Sequence, residues 1–274
     1  MSLQESIIIA GLTDQGLVRE HNEDSIASDH ALGLVVLADG MGGHKGGEVA
    51  SAIAVDTVIS TLKKALPGIT HGQTDERTGY SLESMAIESA IKQANLAIYQ
   101  ASRSNAQYEG MGTTIVVLLF YDNRVTIAHV GDSRLYRLRE SKLEQLTRDH
   151  TLLQELVDRG LYTLAEAKQS LNKNLVTRAV GVNATVEVDL LEDYAVTQDI
   201  YLLCSDGLTD MINDDLIEDS IINYRNNLNR AAAELISQAK SHGGKDNVSV
   251  ILAMPTKAYP ASNGWLSRIF ELFS

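Results

Sequence analysis

Short apolar runs bounded by Gly, Asp or Asn recur along the chain. They fall at residues 6–10, 33–38, 114–120, 125–130, 134–139, 186–191, 200–204 and 248–254. Their length and turn-forming flanks predict strands. A different period governs residues 47–66, 82–102, 152–159, 164–169, 214–224 and 229–241, which predict helices. In the second of these, Met85, Ile87, Ala90, Ile91, Ala94 and Ile98 recur at three- and four-residue steps and define one buried face. Asp122-Asn123 and Gly131-Asp132 each separate two strand-like runs, and both predict hairpins. Residues 67–80 (PGITHGQTDERTGY) read as a surface loop between two helices.

Two long helices lie between the early strands and a block of consecutive strands, and two more precede the last strand. Strand following strand favours antiparallel pairing over a series of βαβ units. The expected class is α+β, with two mainly antiparallel sheets packed together and helices covering the outside. Residues 147–175 are helical, charged and inserted between strands, so they read as an appendage to that sandwich. No Pro- or Ser-rich linker divides the chain, and residues 1–256 are expected to form one domain. Beyond it, in the tail 257–274, Trp265, Leu266, Ile269, Phe270, Leu272 and Phe273 outline a short apolar helix. Docking on its own domain or on a protein partner suits that tail better than a membrane, since it carries one Arg and one Glu.

Composition narrows the function. Of 274 residues, 44% are apolar and 22% charged, as in a packed globular protein. Acidic residues outnumber basic ones 36 to 23, giving a net charge of −13. Such a surface repels nucleic-acid backbones and anionic lipid. Cys204 is the single cysteine, so no intramolecular disulfide forms, which fits a reducing compartment. The N-terminus lacks the pattern of a secretory signal, and no apolar run approaches the roughly 20 residues a bilayer span needs. The expectation is a soluble, cytoplasmic protein.

Four aspartates stand at strand ends or tight turns near glycine: Asp39 in ADG, Asp132 in VGDSR, Asp206 in SDG and Asp246 in GGKDN. A lone Asp-Gly pair is most often just a turn. Four in like contexts, with no Cys/His cluster of zinc spacing, suit hard cations that take carboxylate and carbonyl oxygens. Near the N-terminus, Arg19, Glu20, Asn22, Glu23 and Asp24 crowd together. A solvated charge run is the plain reading of that segment. A guanidinium among carboxylates also suits a phosphate beside a metal.

Taken in order, Arg19…Asn22-Glu23-Asp24, ADGMGGH, MGTT, VGDSR, LTRDH, SDGLTD and GGKDN resemble the motifs of the metal-dependent Ser/Thr protein phosphatases, the phosphatase 2C-like (PPM) family, in its compact bacterial form. The resemblance covers residues 6–254. It implies a four-layer α-β-β-α sandwich with a small helical flap at about 147–175 bordering the catalytic cleft. It implies two core Mn²⁺ or Mg²⁺ ions and room for a third, weaker one. Asp39 would bridge the core pair, the Gly40 carbonyl would complete one site, and Asp206 and Asp246 would hold the other. Glu23 and Asp24 would sit near the first ion through its water. Asp132 would hold the third ion with help from Asp206 and Asp210. Arg19 would bind the substrate phosphate, and His44 matches the proposed general acid.

The activity implied is hydrolysis of phosphoserine and phosphothreonine in proteins, with some scope for phosphotyrosine, by a bimetal-activated water. The partners implied are phosphorylated proteins, among them a Ser/Thr kinase and its targets. No covalent phosphoenzyme is needed, so Cys204 reads as a small buried strand residue. His129 reads as a satisfied core histidine, His150 as a capping or packing residue, and Asn247 as a holder of backbone geometry. The segment 111–114 reads as structural, while Ser133 and Arg134 read as closing the turn after Asp132. Two further readings stand beside this one: a non-catalytic sensing module, which loss of the metal aspartates would signal, and a two-metal hydrolase of small phosphate esters.

Overall fold

The apolar runs fold as strands, and the central ones, Leu34–Met41, Ile115–Tyr121, Ile200–Cys204 and Val248–Pro255, are buried on both faces. The computed structural model describes residues 3–42, 46–163 and 175–259. One sheet contains β1 (Ile7–Asp14), β7 (Arg134–Arg139), β8 (Lys142–Gln145), β10 (Ile200–Cys204) and β11 (Val248–Pro255), in the order β1-β11-β10-β7-β8. The other contains β2 (Asp24–Asp29), β3 (Leu34–Met41), β5 (Ile115–Tyr121), β6 (Arg124–Val130) and β9 (Asp189–Tyr194), in the order β2-β3-β5-β6-β9. The short β4 (Gly112–Thr113) pairs with the end of β3. All these pairings are antiparallel.

Alternate residues of the central strands feed different cores. Val35 and Leu37 of β3, Val116, Leu118 and Phe120 of β5, and Leu203 of β10 meet between the sheets. Leu34, Val36, Ile115 and Val117 point the other way, into a core covered by α1 (Gly46–Ala65) and α2 (Leu82–Ser104). Leu202, Cys204, Val250 and Leu252 pack against α5 (Asp214–Asn223) and α6 (Leu228–Ser241) on the opposite outer face. Each fully buried aliphatic side chain contributes about 1.5–3 kcal/mol, so both faces of a strand stabilise the four-layer sandwich. Two shorter α-helices are α3 (Leu152–Asp158) and α4 (Asp206–Thr209).

The Asp122-Asn123 hairpin forms, and both residues take the positive φ of its tight turn (44° and 56°). The hairpin expected at Gly131-Asp132 does not form. There β6 ends in one sheet and β7 begins in the other, so these two residues carry the chain between layers. The unforeseen hairpin is β7–β8, turned by Glu140 and Ser141 at φ 50° and 62°. The polar edge strands β2 (DSIASD) and β8 (KLEQ) gave no apolar signal. Strand β9 starts three residues later than expected, with Val188 packing into the outer core just before it. Arg134 does more than close a turn. Its Nε and Nη2 fork onto Asp149 at 2.6–3.0 Å and fasten β7 to the approach to α3. Among the described residues no helix is long and apolar enough to cross a membrane. His44, the expected helix 164–169 and the apolar residues of the tail lie outside the described residues.

Candidate active site

Strand register gathers the aspartates at one end of the sandwich. In the β2–β3 pair Asp24 lies opposite Asp39. Strand β10 ends at Cys204 opposite Val250, which brings Asp206, at the start of α4, next to Asp246 ahead of β11. Strand β6 ends at Val130 opposite Ile115, beside the end of β3, and Asp132 follows two residues later. Asp39 therefore feels the charge of Asp24, Asp206, Asp132 and Asp246 together.

The backbone around these carboxylates is tied down from several sides. Asp39 N donates to Thr114 Oγ1 at 3.1 Å, while Thr114 N and Thr113 Oγ1 both donate to Asp39 O at 2.8 Å. Gly40 N donates to Glu23 O at 3.1 Å. A Cβ on Gly40 would lie 2.1 Å from Gly47 O, so only glycine lets the end of β3 approach α1 this closely. Asn247 joins three segments: its Oδ1 accepts from Glu23 N at 2.8 Å, and its Nδ2 donates to His21 O at 2.8 Å and Gln15 O at 3.0 Å. Ser205 Oγ donates to Asp24 Oδ2 at 2.9 Å. Asp210 N donates to Asp206 O at 2.8 Å, one turn further along. The part played by Ser205 and Ser249 around Asp24 had no signal in the sequence beyond a hydroxyl beside the SDG aspartate.

Electrostatics show what this arrangement costs. Burial, then repulsion from neighbouring carboxylates, raises Asp39 and Asp206 well above the usual carboxylate range. Burial pushes Asp24 up to about 6, against the nearby Ser249 hydroxyl and the hydrogen bond from Ser205, which lower it. Asp132 is also pushed up to about 6, by burial and by Asp149. Glu23 is raised by burial, with Arg19 opposing. Arg19 Nη2 donates to Asp246 Oδ2 at 2.6 Å, and this partner raises the guanidinium pKa. Asp24 Oδ1 is buried with no hydrogen-bond partner. A cluster of oxygen donors that repel one another, one of them orphaned, fits hard divalent cations such as Mn²⁺ or Mg²⁺.

A second group with ligand chemistry is His129, His150 and Asp189. Its geometry suits hydrogen bonding better than a metal. The two imidazoles stack with centroids 4.7 Å apart and planes 22° apart, so their in-plane lone pairs run nearly parallel and do not converge. The Arg178 guanidinium also stands 3.2 Å from His150 Nε2 and pairs with Asp189.

A family model for protein phosphatase 2C matches residues 17–240. The serine/threonine phosphatase stp of Listeria welshimeri is 38% identical over 243 residues, covering 88% of this chain and 92% of that protein. The serine/threonine protein phosphatase PstP of Mycobacterium tuberculosis is 40% identical over 244 residues, 89% of this chain and 44% of that longer protein. A crystal structure of the latter (PstP/Ppp) superposes with a TM-score of 0.80 at 38% identity, covering 92% of this chain and all of that one. Another, of the PstP catalytic domain in complex with two manganese ions, gives 0.78 at 37% identity, covering 92% of this chain and 99% of that one. The chain belongs to the protein phosphatase 2C family, and with that membership it is an enzyme, a metal-dependent protein-serine/threonine phosphatase.

Proposed function

We propose that the carboxylate end of the sandwich is the catalytic centre, and that it removes phosphate from phosphoserine and phosphothreonine in proteins. The observation that carries this reading is the convergence of Asp24, Asp39, Asp132, Asp206 and Asp246 with an orphaned buried carboxylate oxygen. Asp39, Asp206 and Asp246, with the Gly40 carbonyl, would hold the core ions. Glu23 and Asp24 would act close by, and Asp132 with Asp206 and Asp210 would hold a weaker third. Bound divalent ions supply an acidified attacking water and neutralise charge on the phosphoryl oxygens.

The chain's own residues do the rest. Arg19 projects from a loop held by Gln15 Nε2 on Arg19 O at 2.6 Å and by Leu17 N on Gly244 O at 2.7 Å. Its planar fork, half exposed beside Asp246, binds phosphate oxygens and orients them for in-line attack. His44 gives the departing serine or threonine oxygen its proton, because an alkoxide leaves poorly. Thr114, Asn247 and Ser205 hold the carboxylates in place, so little reorganisation is needed in the transition state. Phosphorylated proteins are the substrates, with a Ser/Thr kinase and its targets as the partners such chemistry reverses. The lone Cys204 sits buried in a central strand and supports a cytoplasmic setting.

Phosphate release from a phosphothreonine peptide tests the reading. With Mn²⁺ or Mg²⁺ the protein should release phosphate, chelation should stop it, and Asp39→Asn should nearly abolish it. Folded protein inactive with every divalent metal, or Asp39→Asn at full activity, would sink the proposal.

A further inference from the structure

The two ends of the flap meet at a side-chain cluster that the proposed chemistry does not use. His150 N donates to Gly131 O at 3.0 Å, and Gly131 N donates to His150 Nδ1 at 3.1 Å, so the two residues hold each other through a reciprocal pair. With Nδ1 accepting from Gly131, the ring proton sits on Nε2 and faces Asp189 Oδ2 at 3.3 Å, while the Arg178 guanidinium, 3.2 Å from the same nitrogen, gives its N–H to Asp189. The buried His129 ring stacks against His150 and is itself fixed by Nε2 donating to Arg148 O at 2.8 Å. The returning end of the flap joins the same cluster. Thr177 N donates to His150 O at 2.8 Å, and Leu152 N donates to Leu175 O at 3.0 Å.

Gly131 is the link to the carboxylates. It immediately precedes Asp132 and sits at φ +107°, and a Cβ there would lie 2.6 Å from Thr114 Cγ2. Thr114 Oγ1 in turn accepts from Asp39 N and lies 2.7 Å from Ser133 Oγ. An unbroken chain of hydrogen bonds and close packing therefore runs from both flap ends, through His150 and Gly131, to Asp132 and Asp39. The Gly131 amide is buried, so no water replaces the Nδ1 acceptor if it is lost, and the loop must shift to satisfy that N–H.

We propose that His150 is a positioning residue: its Nδ1 ties the flap ends to Gly131 and so sets how Asp132 enters the carboxylate cluster. This rests on the reading above that Asp132 holds the weaker cation.

The test uses the full-length, metal-free chain in wild-type, His150→Asn, His150→Gln and Asp132→Asn forms. Asparagine places an oxygen where Nδ1 stands, whereas glutamine places its acceptor near the Nε2 position. Mn²⁺ binding is followed by calorimetry, and exchange of the Gly131 amide by NMR. His150→Gln should weaken the weakest Mn²⁺ step about tenfold and speed Gly131 exchange by about the same factor, leaving tighter steps unchanged. His150→Asn should stay close to wild type in both. Asn and Gln variants that behave alike would overturn the proposal, as would a Gln variant whose Gly131 amide exchanges faster while its weakest Mn²⁺ step keeps wild-type strength. If Asp132→Asn also leaves that step intact, the fault lies in the metal role of Asp132, and the proposal falls with it.

Discussion

Replacing the Asp132 carboxylate by an amide should favour the metal-free protein more at neutral pH than at acid pH. Asp132 is 8% exposed and its carboxyl is pushed up to about 6 from the ordinary aspartate value of about 3.8. Burial is the largest cause, followed by repulsion from Asp149. The native state therefore binds this proton more tightly than the unfolded chain does. Stability from the group is full below the unfolded pKa and is lost as pH rises from about 4 to about 6. A two-unit difference is worth about 3 kcal/mol in total, and the part lost between pH 4.5 and 7.5 is about 2 kcal/mol. Asparagine has nearly the same shape and no proton to lose. Asp132→Asn should then be more stabilising at pH 7.5 than at pH 4.5 by about 2 kcal/mol. Urea unfolding of chelator-treated wild type and variant at the two pH values reads this directly, because any pH-independent cost of the amide cancels. An equal effect at both pH values, or a variant relatively weaker at pH 7.5, would refute the claim that Asp132 is held in strain by its surroundings.

Two other perturbations probe the same end of the molecule. Arg19→Ala should raise the KM for a phosphopeptide about tenfold or more while lowering kcat less, because a charge-assisted contact to phosphate is lost. Steady-state kinetics with saturating Mn²⁺ checks this, and an unchanged KM would count against phosphate binding by Arg19. Thr114→Val keeps the side-chain shape but leaves Asp39 N without its acceptor at 3.1 Å. It should cost about 1–3 kcal/mol in urea unfolding and lower kcat as Asp39 loses its aim. A stable, fully active Thr114→Val protein would remove Thr114 from the positioning scheme.

The parts of this fold that were legible in the sequence are those where burial is two-sided. Strands β3, β5, β10 and β11 present apolar residues to two cores at once, so they appear as unbroken runs, and helix α2 shows its face because only one side of it is buried. Strands β2 and β8 were invisible for the converse reason. They are sheet edges, where polar residues are tolerated and guard against pairing with other chains. The misread turn at Gly131-Asp132 is the instructive case. Local sequence specifies that the chain turns there, but not that β7 leaves the sheet of β6, because both sheets offer an equally apolar face. That crossover is what delivers Asp132 to the other aspartates.

The site follows the same logic. Four of its aspartates could be picked out one by one as carboxylates at strand ends or tight turns near glycine, but their meeting depends on register across two sheets, such as Asp24 opposite Asp39. Residues that act through neighbours carry weaker signals. Asn247 and Ser205 look like ordinary turn residues until the strands bring Glu23, His21 and Asp24 to them. The raised pKa values of Asp24, Asp39, Asp132 and Asp206 show why such residues are needed. Mutually repelling carboxylates would swing apart towards water if their backbones were free. The hydroxyls of Thr114 and Ser205, the Asn247 amide and the close approach at Gly40 oppose that relaxation. The packed sandwich thus supplies the stability against which a destabilising but cation-ready cluster is maintained.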